Sequence, residues 1–115
     1  MPIQTIPNLD DLLRVLSAAT DTNRLSWMKT ADEYTFRAEF GLGMVRIARV
    51  PAESLVYILS LMDRDGTLLE EYRPTGEGET VAIQALYKKV RQQALNLEHK
   101  LKGVYDQLKK LAGES

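Results

Sequence analysis

The chain of 115 residues contains no cysteine, a single histidine and no apolar run of membrane-spanning length. Without cysteine there can be no disulfide, thiol nucleophile or thiolate metal site, and the lack fits a reducing cellular interior. One histidine cannot by itself build a histidine-based metal site or a catalytic triad. That residue, His99, lies between Glu98 and Lys100 in a helical pattern and reads as a solvated helix side chain. The most apolar stretch, Leu55 to Met62, is far shorter than a membrane span, and the opening MPIQTIPNLDD has neither the basic start nor the apolar run of a secretory signal. A cytoplasmic chain with no membrane partner is therefore expected. Internal repeats and low-complexity tracts are also missing.

What is present is ordinary in bulk: 44% hydrophobic and 27% charged residues, the composition of a globular chain rather than a disordered one. The length suits one domain, 1–115, with no linker. The net charge of -1 hides an asymmetry. Residues 1–79 carry 8 Lys and Arg against 13 Asp and Glu, whereas residues 80–115 carry 7 against 3. A basic segment can mark an anionic partner, or it can lie on its own acidic body or on that of a second copy.

Local patterning predicts an α+β fold. Asn8 is placed as the N-cap of a short helix running to about Ala19, with Asp10 and Asp11 in the first turn and an apolar stripe of Leu9, Leu12, Leu13 and Leu16. A run of β signals follows. Leu25 and Trp27 share one strand face, and Tyr34, Phe36, Ala38 and Phe40 share another opposite Thr35, Arg37 and Glu39, the alternation of an antiparallel sheet with one packed and one wet side. Turns are expected at Ala31-Asp32-Glu33, Gly41-Leu42-Gly43 and Pro51-Ala52-Glu53. In the strand from Met44 to Val50, Arg46 and Arg49 break parity, which predicts an edge or a bulge there. Leu55 to Met62 is apolar on both parities and is expected to be a central strand, turning at Asp63-Arg64-Asp65-Gly66 into a last strand from Thr67 to Arg73.

After a loop from Pro74 to Glu79, Thr80 is placed as the N-cap of a helix reaching Ala112 that packs on the sheet and extends beyond it. Its apolar residues Ile83, Leu86, Val90, Ala94, Leu97, Leu101, Val104, Leu108 and Leu111 recur by threes and fours. Such a helix outreaches strands of seven or eight residues by about half its length. The overhanging set, Ala94, Leu97, Leu101, Val104, Leu108 and Leu111, keeps the four-three spacing of a coiled-coil seam and is the candidate interface of a homodimer. The alternative is that the N-terminal helix folds back over it. Gly103 could break the helix there or permit close helix approach.

Chemical signals are weak. The Asp63-Arg64-Asp65-Gly66 turn fails as a calcium loop, because a register with Gly66 at its sixth position puts Leu61 and Tyr72 where oxygen ligands are needed. Glu70 and Glu71 are adjacent on a strand and face opposite ways, and Gly76-Glu77-Gly78 lacks the lysine and spacing of a phosphate loop. The cations Lys88, Lys89, Arg91, Lys100, Lys102, Lys109 and Lys110 are spread around the helix without a stacking platform, with Tyr87 and Tyr105 read as packing residues, so nucleic acid is not the expected partner. Trp27, Met28, Met44 and Met62 could line a small pocket or fill a core. No catalytic, cofactor-binding or metal-ligating residue is assigned. The expected role is a non-enzymatic protein-interaction or assembly module, with a small-ligand-binding or nucleic-acid-binding domain as the alternative.

Overall fold

The computed structural model describes residues 7–51 and 55–114. The order is α1 (Leu9–Asp21), β1 (Trp27–Lys29), β2 (Thr35–Phe40), β3 (Gly43–Pro51), β4 (Leu55–Asp63), β5 (Leu68–Tyr72) and α2 (Glu77–Leu111), an α+β arrangement. The five strands form an antiparallel meander in sequence order, with α1 and α2 on one face. The connection 52–54, where a turn was expected, lies outside the described residues.

Each helix begins and ends for a local reason. The Asn8 side chain accepts a hydrogen bond from the Asp11 amide at 2.8 Å, capping α1 as its sequence suggests. The helix runs past Ala19 to Asp21, and Asn23, with φ 58°, turns the chain out. The amides of Asn23 and Arg24 bond back to the carbonyls of Thr20 and Ala19, satisfying two of the acceptors that a helix end leaves open. The same arrangement closes α2, where Gly113 takes φ 84° and the amides of Gly113 and Glu114 return to Lys110 and Lys109. At its start α2 is longer than expected. Gly76, not Thr80, is the N-cap, because the acidic Glu77 and Glu79 suit the positive end of a helix. The Glu79 carboxylate also accepts from the amide and hydroxyl of Thr75, while the Thr80 hydroxyl bonds to the Gly76 carbonyl.

The register sorts the sheet residues into two faces. On the helix side, Trp27 lies beside Ala38, Val45 and Leu61, and Phe36 beside Ile47, Leu59 and Tyr72. These side chains join Leu9, Leu13 and Leu16 of α1 and Ile83, Leu86, Tyr87, Val90 and Ala94 of α2 in one hydrophobic core. The aromatic rings of Phe36 and Tyr57 both meet Tyr87 edge to face, at 5.6 and 5.4 Å between centroids. No described element covers the other side, where Met28, Arg37, Arg46, Ser60 and Glu71 form one cross-sheet row.

Three strand expectations change. The Met44-to-Val50 segment is the middle strand, without a bulge; the register shift falls between Leu61 and Met62, where β4 meets β5. Arg49 breaks parity because it sits on the helix side near the end of the sheet, where the core gives way to a polar recess. Leu55 to Met62, by contrast, is an interior strand as expected, beside the middle one, and its outward residues Val56 and Ile58 are half-buried. Phe40 keeps the predicted parity but is exposed at the hairpin end, beyond the cover of the helices. Gly43, expected in a turn, is the first residue of β3. A Cβ there would overlap the Met62 carbonyl oxygen.

Candidate interaction surface

α2 has two parts with different surroundings. Its first half is fixed by polar contacts that frame the apolar stripe. The Gln93 side chain accepts from the Trp27 amide at 2.9 Å and donates to the Thr20 carbonyl, and the Trp27 indole N–H donates to the Thr20 hydroxyl at 2.9 Å. That hydroxyl in turn donates to the Leu16 carbonyl. One buried network thus ties α1, β1 and α2. The Lys89 ammonium adds contacts to Ser17 and Asp21 of α1 at 2.8 and 3.1 Å, and at the other end of α1 the Tyr72 hydroxyl of β5 donates to the Pro7 carbonyl. Nothing in the hydrophobic periodicity points to Thr20 or Gln93. The only hint is a threonine at the end of an apolar helix stripe.

Beyond Ala94 the helix leaves the body. It spans 35 residues, which at 1.5 Å each is about 52 Å, and it gives the molecule a longest dimension of 63 Å. The stripe changes environment along this path. Ala94 is 1% exposed and packs in the chain's own core, so this member of the predicted seam is not available to a partner. Leu101, Val104, Leu108 and Leu111 are 59%, 57%, 57% and 78% exposed, and Tyr105 beside them is 62% exposed. The Leu97 side chain lies outside the described residues. α1 packs over the first half of α2, so it leaves these four residues uncovered. The helix is unbroken through Gly103, which has open space around its Cα. At about 100° per residue Gly103 points away from the line through Leu101 and Val104, so it does not serve close approach along that line.

The remaining candidate residues are dispersed. His99 is exposed on α2, and Glu70 and Glu71 alternate across β5. The Asp63 carboxylate accepts from the Asp65 and Thr67 amides, with Gly66 at φ 87°, a hairpin held by its own side chain. Trp27 is fully buried, while Met44 and Met62 lie on the open face of the sheet beside Arg37 and Arg46, lining a shallow depression. Among the described residues no group of three or more His, Asp or Glu side chains could hold a metal ion, and no helix is long and apolar enough to cross a membrane.

A second polar feature lies on the helix side of the sheet, between the β1–β2 connection and α2. It is a recess of about 260 Å³ lined by side chains that include Lys29, Glu33, Tyr34, Arg49, Tyr87 and Arg91. The Arg49 amide and the Tyr87 hydroxyl both donate to the Tyr34 carbonyl, at 3.0 Å each. Burial holds the Tyr87 phenol above its usual range, against the pull of the Arg49 and Arg91 charges. Below it the Asp32 carboxylate accepts from the Tyr34 amide and the Thr35 hydroxyl, and these bonds hold its pKa below the ordinary carboxylate value. Comparison of the chain with protein-family models, curated proteins and solved structures returns no match.

Proposed function

We propose that this chain is a non-enzymatic interaction module that assembles with a second copy of itself through the overhanging part of α2. The observation that carries the reading is the exposed line Leu101, Val104, Leu108 and Leu111, four apolar residues at three- and four-residue spacing on a helix that has left its own core. Removing such side chains from water is favourable in proportion to the apolar area covered. A four-three alternation is the spacing by which one helix packs on another like it, which makes a second copy of the same helix the best-matched cover.

Helix physics supports the same occupant. A free helical tail of about 17 residues is marginal in water, and Gly103 weakens it by about 1 kcal/mol relative to alanine. Pairing supplies the packing that such a tail lacks. Because association stabilises the folded state by mass action, the thermal midpoint should rise with protein concentration, and Leu108→Glu should abolish that dependence. A midpoint independent of concentration in the wild type would overturn the proposal.

A further inference from the structure

We propose that the recess between the β1–β2 connection and α2 is a binding site for a small phosphate monoester, with Arg49 and Arg91 as the groups that hold the phosphoryl oxygens. Its lining brings three cationic side chains, Lys29, Arg49 and Arg91, together with one carboxylate, Glu33. The cations come from β1, β3 and α2, so the fold, not a local charge run, assembles them. Neither Arg49 nor Arg91 forms an ion pair with a described residue.

Arg49 is the more informative of the two. Its Nε is buried without a hydrogen-bond partner, the only such side-chain atom among the described residues. Its guanidinium carbon lies 6.0 Å from the centre of the Tyr34 ring, a contact with the ring face that leaves the donors in the guanidinium plane available. That Nε is sealed from solvent, so the donors that can meet a ligand in the recess are the terminal amino groups of the guanidinium, which bond to no described residue. A guanidinium offers planar paired donors that match phosphate oxygens, and a second arginine from the facing helix supplies charge from the other side.

The size of the recess limits the ligand. About 260 Å³ is the room of roughly nine waters at about 30 Å³ each, below the usual range for drug-sized ligands. A phosphoryl group with a small organic substituent fits that space, and the Tyr34 ring in the lining offers the substituent an apolar surface. A polymer backbone would need a groove that continues past the site, whereas a recess of about 260 Å³ has room for little more than one phosphoryl group and its substituent. This site is independent of the assembly surface on the α2 overhang, so either proposal can stand without the other.

The test is a titration of ¹⁵N-labelled full-length protein with phenyl phosphate, with inorganic phosphate, and with a single-stranded oligonucleotide, each at constant ionic strength. The expected result is saturable shifts confined to Tyr34, Arg49, Tyr87 and Arg91 with phenyl phosphate, and weaker binding of inorganic phosphate at the same residues. Arg91→Gln, an exposed change that keeps the core, should weaken phenyl phosphate at least tenfold, and Arg49→Gln should do the same. Arg46→Gln, on the opposite face of the sheet, should leave binding unchanged. Absence of saturable shifts, equal loss in Arg46→Gln, or binding of the oligonucleotide in preference to phenyl phosphate would each overturn the proposal.

Discussion

Two residues show how single atoms constrain this fold. At Gly43 the β3 and β4 backbones approach so closely that a methyl group would overlap the Met62 carbonyl oxygen, next to the register shift between Leu61 and Met62. Gly43→Ala should therefore force the hairpin apart and cost about 1–3 kcal/mol, read as a lowered urea midpoint. An unchanged midpoint would show that the hairpin relaxes freely. Asp32 organises the β1–β2 connection by accepting bonds from the Tyr34 amide and the Thr35 hydroxyl, which lower its pKa from 3.8. A carboxyl whose folded pKa is depressed adds stability above its unfolded value and loses it as pH falls through the folded one. The stability difference between wild type and Asp32→Asn should hold steady from pH 8 to pH 5 and shrink below pH 3.8. Urea midpoints at several pH values check this, and a difference that grew on acidification would contradict it.

Among the elements, the contact of α1 with α2 rests on a buried polar network as well as on leucines. Gln93 satisfies the Trp27 amide, and Thr20 satisfies the Trp27 indole. Gln93→Ala leaves a part-buried donor unpaired, for which the expected cost is about 1–3 kcal/mol in a denaturant titration. A loss comparable to an exposed substitution would mean that water replaces the side chain. The sequence made the elements legible because Leu9, Leu13 and Leu16 repeat at helical spacing and Phe36 and Ala38 alternate at strand spacing, and both periods record which face is buried. It did not reveal the network, since Thr20 and Gln93 act through distant partners that no periodicity encodes. Arg49 misled for a related reason. A charged residue on the packed parity reads as a bulge when it can instead mark a recess at the margin of the core. The N-cap of α2 moved to Gly76 because Glu79 and Thr75 satisfy each other across the helix start, a pairing that competes with capping by Thr80.

For the whole molecule, the main feature is the mismatch between a 35-residue helix and a sheet whose longest strands have 9 residues. The stripe on α2 recurs in the sequence from Ile83 to Leu111, and among its described side chains Ile83 to Ala94 lie in the chain's own core while Leu101 to Leu111 are exposed. Ala94, read from the sequence as the start of the seam, lies in that core, since periodicity cannot mark where a helix leaves its sheet. The basic character of α2 divides in the same way: Lys89 pairs with Asp21 on the body, while Lys100, Lys102, Lys109 and Lys110 lie along the overhang. Self-association through that overhang is the central claim, and sedimentation equilibrium of wild type and Leu101→Glu at tens of micromolar tests it most directly. The account predicts a wild-type mass twice that of the 13.0 kDa chain and a monomeric, folded Leu101→Glu, since a charge placed in an apolar seam opposes pairing without touching the core. A wild type that remains monomeric, or a dimer that Leu101→Glu leaves intact, would contradict it.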